Sequence, residues 1–164
     1  MRQGVALAGF MGVGKSSVGA ALAELIGLPF VDLDALVQAQ SGRRVSDIFS
    51  CEGEAGFRAR ESSALADVIA GPPSVVALGG GTIHQEGNLQ LLRERYFVVS
   101  LLAPLDEIRG RIGPEDETRP LWADAESRFD SRADGYLAAD ACVDVAGLSI
   151  ECAARAVNEV LSCR

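Results

Sequence analysis

A glycine-rich segment between an apolar run and an amphipathic stretch places the strongest constraint on the fold of this chain. Gly4–Gly9 (GVALAG) is short and apolar, which predicts a strand buried on both faces of a parallel sheet. Apolar residues recur at helical spacing over 18–26 and predict a helix that opens near Lys15. This part of the chain is therefore expected to form a strand, a glycine loop and a helix, in that order.

The same alternation continues along the chain. Apolar runs predict further strands at 30–33, 74–78, 96–102 and 140–145, and helices are predicted at 54–70, 85–95, 105–111 and 150–161. Residues 34–42 form a polar segment. The pattern predicts an α/β fold with a five-stranded parallel sheet covered by helices on both faces. A length of 164 residues is expected to make one domain, residues 1–164.

The glycine loop itself, residues 9–16 (GFMGVGKS), matches the pattern G-x-x-x-x-G-K-[ST] of phosphate-binding loops. Its N–H groups can point inward at a triphosphate, Lys15 adds a point charge, and Ser16 can ligate Mg²⁺. The alternative is a glycine-rich turn with a solvated lysine, but the only lysine of the chain falls here. The pattern predicts ATP or GTP binding, through Gly12, Val13, Gly14, Lys15, Ser16 and Ser17.

Two aspartates follow the second predicted strand. Asp32 and Asp34 are two residues apart, so strand alternation would aim both carboxylates at the crevice beyond the strand ends. We expect Asp32 to orient the water shell of Mg²⁺ and Asp34 to accept a hydrogen bond from an acceptor hydroxyl, as its base or orienter. The alternative is that one of them caps the following helix.

Residues 113–120 (GPEDETRP) lack an apolar anchor and predict an exposed loop, a candidate mobile lid. Arg119 in this loop could swing over the phosphates and add positive charge where the transition state needs it. The alternative for Arg119 is a solvated surface charge.

The net charge of the chain limits the classes of partner that it is expected to bind. Fifteen basic against twenty-three acidic residues give a net charge of -8, so we expect neither nucleic acid nor membrane as a partner.

No signal peptide or spanning stretch is evident, which predicts a cytoplasmic protein. The four cysteines form no CxxC pair and the single histidine, His84, stands apart from them, so no zinc site is expected. For His84 we expect a turn or surface position.

Six motifs together resemble the shikimate kinase family over nearly the whole chain. They are the loop at 9–16, FVDLD at 30–34, GEAGFRARE at 53–61, GGG at 79–81, RPL at 119–121, and Arg132 with Tyr136. The resemblance implies a P-loop fold similar to nucleoside monophosphate kinases. It also implies transfer of the ATP γ-phosphate, with Mg²⁺, to the 3-hydroxyl of shikimate in aromatic amino-acid (chorismate) biosynthesis.

The resemblance also implies roles for individual residues. Lys15, Asp34 and Arg119 would be catalytic, and Arg111 would lie over the adenine. Shikimate would be held by Asp34, Arg58, Gly80, Gly81 and Arg132, with Glu61 steadying Arg58. The chemistry agrees, because guanidinium groups grip a carboxylate with paired hydrogen bonds and Glu61 lies at i+3 from Arg58. Asp134 and Ala138 depart from the proline and glutamate that relatives often carry near Arg132.

Two other functions are compatible with parts of the sequence. Another small-molecule kinase, such as a gluconate kinase, would share the nucleotide loop but not the three glycines with paired arginines. A nucleotide-binding regulatory protein with a decayed kinase site is opposed by the intact set Lys15, Asp32, Asp34, Arg58 and Arg132. We expect the protein to act as a monomer on a small molecule.

Overall fold

The computed structural model describes residues 3–112 and 124–163 of the chain. The strands are β1 (Gly4–Gly9), β2 (Phe30–Asp32), β3 (Val75–Ala77), β4 (Tyr96–Leu102) and β5 (Ala141–Asp144). The helices are α1 (Lys15–Ile26), α2 (Leu33–Ser41), α3 (Val45–Ala70), α4 (Asn88–Arg93), α5 (Leu105–Ile112), α6 (Ala125–Leu137) and α7 (Ile150–Ser162), with a 3₁₀ turn at Thr82–His84. The candidate lid at 113–120 and its Arg119 lie outside the described residues.

The five strands form one parallel sheet in the order β2-β3-β1-β4-β5, which confirms the predicted sheet. Every residue of β1 and of β3 is buried. Because successive strand side chains point to opposite faces, this burial means that the sheet is covered on both sides. Leu7 of β1 is level with Ala77 of β3, which is level with Asp32 of β2. The carboxyl ends of these three strands therefore meet at one edge.

The segment predicted to be polar, 34–42, differs from expectation because it is almost entirely helix α2. Leu33 and Val37, four residues apart, bury one face of α2, and the Asp32 side chain caps it by accepting from the Ala35 N–H at 3.1 Å. Asp34 therefore lies in the first turn of α2 instead of continuing β2. The strand-alternation argument for Asp34 was wrong, although the residue still reaches the expected edge of the sheet.

Other boundaries also differ from the predictions. Helix α3 begins at Val45 rather than at residue 54, and Gly53 interrupts it with φ of 71°, so the predicted helix at 54–70 is only its second part. Gly87, at φ of 84°, shortens the predicted helix at 85–95 to α4. Helix α6 was not predicted, because its sequence buries few apolar side chains. Among the helices of residues 3–112 and 124–163, none is both long and apolar enough to span a bilayer.

Candidate active site

A cleft of about 1460 Å³ lies at the carboxyl edge of the sheet. Parallel sheets of this kind bind ligands at that edge. The cleft brings together every predicted site residue that the structure describes, namely Gly12, Val13, Gly14, Lys15, Ser16, Ser17, Asp32, Asp34, Arg58, Gly80, Gly81, Arg111 and Arg132. Arg119 is the predicted site residue that falls outside the described ranges.

The glycine loop curls between β1 and α1 and surrounds the lysine side chain. Gly12 and Gly14 have φ of 81° and 109°, a region that side-chain-bearing residues rarely adopt. The Lys15 ammonium is buried and donates to the carbonyl oxygens of Gly9 at 2.8 Å and Phe10 at 2.9 Å. A positive charge inside a loop at a helix N-terminus is the arrangement that binds phosphate.

Arg111, at the end of α5, lies against the outside of the same loop. Its Nη1 donates to the Val13 carbonyl oxygen at 3.0 Å, and its Nη2 pairs with Glu107 and donates to the Val145 carbonyl oxygen at 3.3 Å. These contacts place a planar guanidinium beside the nucleotide loop. That position is compatible with the predicted contact to a nucleotide base.

Ser16 and Asp32 meet where α1 begins and β2 ends. The Ser16 hydroxyl donates to Asp32 Oδ2 at 2.5 Å, while Asp32 Oδ1 accepts from the Ala35 N–H. Asp32 is therefore both the cap that the alternative interpretation proposed and a neighbour of the loop serine. The pair supplies hard oxygen atoms next to the phosphate loop, which is the donor set that Mg²⁺ prefers.

Asp34 lies deeper in the cleft, and its Oδ1 is buried without a hydrogen-bond partner among the described residues. Burial raises the pKa of Asp34 from 3.8 to about 6, and the negative charges of Glu61 and Asp32 add to the rise. Lys15 and Arg58 act in the opposite direction. A carboxylate with this pKa is mostly ionised at neutral pH yet basic enough to accept a proton from a bound hydroxyl.

Arg58, on α3, is held from two sides by carboxylates. Its Nη1 contacts Glu61 Oε2 at 2.9 Å and its Nη2 contacts Glu54 Oε1 at 3.3 Å. Glu61 has no exposed surface, and its other oxygen accepts from the Thr82 hydroxyl at 2.7 Å. The geometry therefore places Glu61 where the family resemblance put it, in contact with the arginine.

Arg132, on α6, completes a pair of guanidinium groups around Gly81. A Cβ at Gly81 would lie 2.5 Å from Arg58 Nη2 and 3.1 Å from Arg132 Nη2, so any side chain at this position would displace the guanidinium groups. Arg58 Nε and Arg132 Nη1 are buried, and neither has a hydrogen-bond partner within residues 3–112 and 124–163. Burial, together with the charge of Arg58, lowers the pKa of Arg132. Unsatisfied buried donors of like charge call for an anionic ligand.

The departures at Asp134 and Ala138 leave this arrangement in place. Asp134 on α6 and Ala138 just after its end are both exposed, whereas Arg132 is only 9% exposed and lines the cleft. The helix is continuous from Arg132 through Asp134 and ends at Leu137, with Ala138 as its C-cap.

Sequence reasoning missed several contacts around the arginine pair. Arg128 Nη2 lies 3.4 Å from Glu54 Oε2, so Glu54 bridges Arg128 and Arg58. The spacing of four between Arg128 and Arg132 on a helix could have indicated a shared face. His84, expected in a turn or at the surface, lies in the 3₁₀ turn but is half-buried against α6.

Comparison with known proteins gives matches over most of the chain. A family model described as shikimate kinase matches residues 11–161. A shikimate kinase of Gloeobacter violaceus is 45% identical over 156 residues, which cover 90% of this chain and 88% of that protein. One of Bordetella avium is 46% identical over 122 residues, which cover 74% of this chain but 58% of that protein.

The solved structures agree with the sequence matches. Shikimate kinase from Acinetobacter baumannii in complex with shikimate is 30% identical to this chain and superposes with a TM-score of 0.94. The superposition covers 99% of this chain and 94% of that one. The likeness in sequence therefore extends to the arrangement of nearly all elements.

Proposed function

This chain belongs to the shikimate kinase family of ATP-dependent kinases, and we propose that it transfers the γ-phosphate of ATP to the 3-hydroxyl of shikimate, giving shikimate 3-phosphate and ADP. Its fold is that of P-loop kinases and is similar to nucleoside monophosphate kinases. The observation that carries the proposal is the position of Asp34, in one cleft with the loop lysine and the arginine pair.

The arginine pair would bind the carboxylate of shikimate. Arg58 and Arg132 present buried donors on either side of Gly81 that have no acceptor in the described part of the chain, and a carboxylate supplies such acceptors. Glu61 and Glu54 hold Arg58 in place before the substrate arrives, which reduces the entropy cost of binding. The Gly80 and Gly81 backbone allows the ring of the substrate to approach closely.

Asp34 would act on the hydroxyl that attacks the phosphate. Its buried Oδ1, which no described residue contacts by a hydrogen bond, can accept the hydroxyl hydrogen bond, and its raised pKa makes it a better proton acceptor than an exposed aspartate. Fixing the hydroxyl in line with the γ-phosphate contributes through orientation, while Lys15 stabilises the negative charge that develops on the transferring group. Arg119 remains a predicted contributor to that stabilisation.

Mg²⁺ fits the oxygen pair formed by Ser16 and Asp32. Ser16 would ligate the ion, and Asp32 would hold its water shell. The ion, when bound, neutralises phosphate charge and so makes the γ-phosphate a better electrophile. Among the described residues no group of three or more His, Cys, Asp or Glu side chains is arranged to hold a metal. A single protein ligand is compatible with Mg²⁺, which usually keeps several waters and takes further oxygen ligands from substrate phosphates.

We further propose that the protein works as one kinase domain and as a monomer in the cytoplasm. The net charge of -8 supports a small-molecule substrate over nucleic acid or anionic membrane.

ADP release measured with and without shikimate tests the proposed function. We expect release that depends on shikimate, that is absent with gluconate as the acceptor, and that stops when EDTA removes divalent metal. Turnover with gluconate alone would assign the site to another small-molecule kinase. Tight ATP binding with no turnover on any acceptor would favour a regulatory protein.

A further inference from the structure

His84 occupies the gap between the 3₁₀ turn and helix α6. Its Nε2 lies 3.0 Å from the Arg132 carbonyl oxygen. Its ring packs edge-on against Tyr136, with centroids 4.8 Å apart and an interplanar angle of 89°. Gly135 makes room for the ring, because a Cβ there would lie 2.6 Å from the His84 Cδ2. The imidazole therefore fits closely against one turn of α6, the turn that begins at Arg132.

The hydrogen bond fixes the proton on the imidazole. A carbonyl oxygen only accepts, so Nε2 must carry the hydrogen and donate it. Burial lowers the pKa of His84, which leaves the ring neutral at physiological pH. Nδ1 is buried with no hydrogen-bond partner among the described residues. His84 is thus a directional donor to α6 and not a charged group.

Tyr136 provides a second link between the same helix turn and the glycine segment. Its hydroxyl donates to the Gly80 carbonyl oxygen at 2.5 Å, and burial raises the pKa of this hydroxyl to about 12, so it remains a donor. His84 and Tyr136 together fasten α6 to residues 80–84. The Arg132 side chain extends from this turn of α6, and its guanidinium lies beside Gly81.

We propose that His84 is a positioning residue for substrate binding. Its hydrogen bond to the Arg132 carbonyl fixes the position of α6 relative to residues 80–84 and so directs the Arg132 guanidinium toward the substrate carboxylate. This inference rests on the proposed function, because it takes the carboxylate of shikimate as the ligand of Arg132. His84 itself does not line the cleft.

Two substitutions separate the hydrogen bond from simple packing. His84→Leu fills a similar volume with an apolar side chain but removes the donor. We expect the KM for shikimate to rise about tenfold and the KM for ATP to stay within about twofold of its normal value. His84→Gln keeps an N–H donor, and we expect it to restore most of the shikimate affinity. Equal effects of the two variants, or parallel rises in both KM values, would overturn the proposal.

The substrate carboxylate gives a readout that a structural role would not move. With shikimate the loss caused by His84→Leu should be about tenfold, whereas with the neutral carboxamide of shikimate it should disappear, since Arg132 has no anion to grip. In the Arg132→Ala background, His84→Leu should likewise have no further effect on shikimate KM. A loss that persists with the carboxamide, or in that background, would assign His84 to packing alone.

Gly135→Ala tests the same contact if His84→Leu folds poorly. The added methyl group would push against the imidazole, and we expect the same selective rise in shikimate KM. Gly110→Ala, where a Cβ meets no atom of the described residues within 4 Å, is the matched control and should leave both KM values unchanged. An unchanged shikimate KM in Gly135→Ala would contradict the proposal. Failure of the unmodified protein to bind shikimate would instead overturn the proposed function, and this inference with it.

Discussion

Arg58 Nη1 and Glu61 Oε2 lie 2.9 Å apart, and the Glu61 side chain has no contact with solvent. A buried carboxylate is stable only when it is paired, and here the guanidinium and the Thr82 hydroxyl share that task. The pair also connects Arg58 of α3, the proposed ligand of the substrate carboxylate, to the turn that follows β3. If Arg58 has that role, a change at this pair affects substrate binding as well as stability.

The first prediction concerns this pair. Glu61→Gln removes the buried negative charge and leaves Arg58 with Glu54 as its carboxylate contact, so the free energy of unfolding should fall by about 3 kcal/mol. The KM for shikimate should rise more than the KM for ATP. Urea unfolding and steady-state kinetics measure the two effects. Asp47→Asn, which breaks an exposed pair with Arg44, should change neither.

The second prediction concerns the pH dependence of turnover. In the proposed mechanism the ionised form of Asp34 accepts the hydroxyl hydrogen bond, so kcat/KM for shikimate should fall as pH falls through about 6, the pKa of Asp34 in the free protein. Asp34→Asn should lower kcat by about 100 to 10,000-fold, remove this acidic limb and leave ATP binding intact. A variant with near-normal kcat would exclude Asp34 from the reaction.

The third prediction is that the same substitution stabilises the protein at alkaline pH. The folded pKa of about 6 exceeds the ordinary value of 3.8, so the folded state binds the proton more tightly than the unfolded chain. The ionised carboxylate therefore costs stability as pH rises from about 4 through about 6. Asp34→Asn should raise the free energy of unfolding by up to about 3 kcal/mol at about pH 8.

At about pH 4 the gain should be nearly absent, because Asp34 is then protonated in the folded protein. The side chain at position 34 is therefore neutral in the unmodified protein and in the variant alike. Urea unfolding at the two pH values makes the comparison. Equal gains at both would show that the effect does not come from ionisation.

The fourth prediction tests the shape of the Arg58 side chain. Arg58→Lys keeps the charge but loses the planar pair of donors, so the KM for shikimate should rise by about 10 to 100-fold with little change for ATP. Arg60→Lys on the same helix, where the side chain faces solvent and contacts Glu52, is the control and should behave like the unmodified enzyme. Equal losses for both substrates would remove Arg58 from the shikimate site.

The fifth prediction uses the space between the two arginines. Gly81→Ala places a methyl group 2.5 Å from Arg58 Nη2 and 3.1 Å from Arg132 Nη2, so the guanidinium groups must move apart. The KM for shikimate should rise by about tenfold or more, as expected when a binding group is misplaced by a fraction of an ångström. Thermal unfolding and calorimetric titration with shikimate separate a binding defect from misfolding.

The parts of the fold that could be predicted from the sequence are those that depend on residues close together in the chain. The apolar run of β1, the positive-φ glycines Gly12 and Gly14, and the stripe of α1 all act within a few residues. Helix α2 was not predicted, because its start depends on the Asp32 cap and its burial on only Leu33 and Val37. The mostly polar composition of residues 34–42 gave no apolar pattern from which this short helix could be predicted.

The site was predictable where residue types carry the chemistry, and unpredictable where packing does. Lys15, Asp34 and Arg58 were identified by motif, and the structure brings them to one cleft. The contact of His84 with the Arg132 carbonyl joins residues 48 apart in the chain, and no local pattern encodes it. Such contacts depend on how α6 docks, which the sequence of α6 alone does not determine.

Lys15 is the single lysine among 164 residues, and its ammonium is held inside the loop at 8% exposure. Electrophiles that acylate amines therefore find one side-chain amine in this molecule, located where the proposed function places ATP. Nucleotide and reagent would compete for the same atom, so the extent of labelling of the peptide that contains Lys15 would report how much of the enzyme is occupied. An ordinary kinase surface, rich in lysine, would obscure that signal.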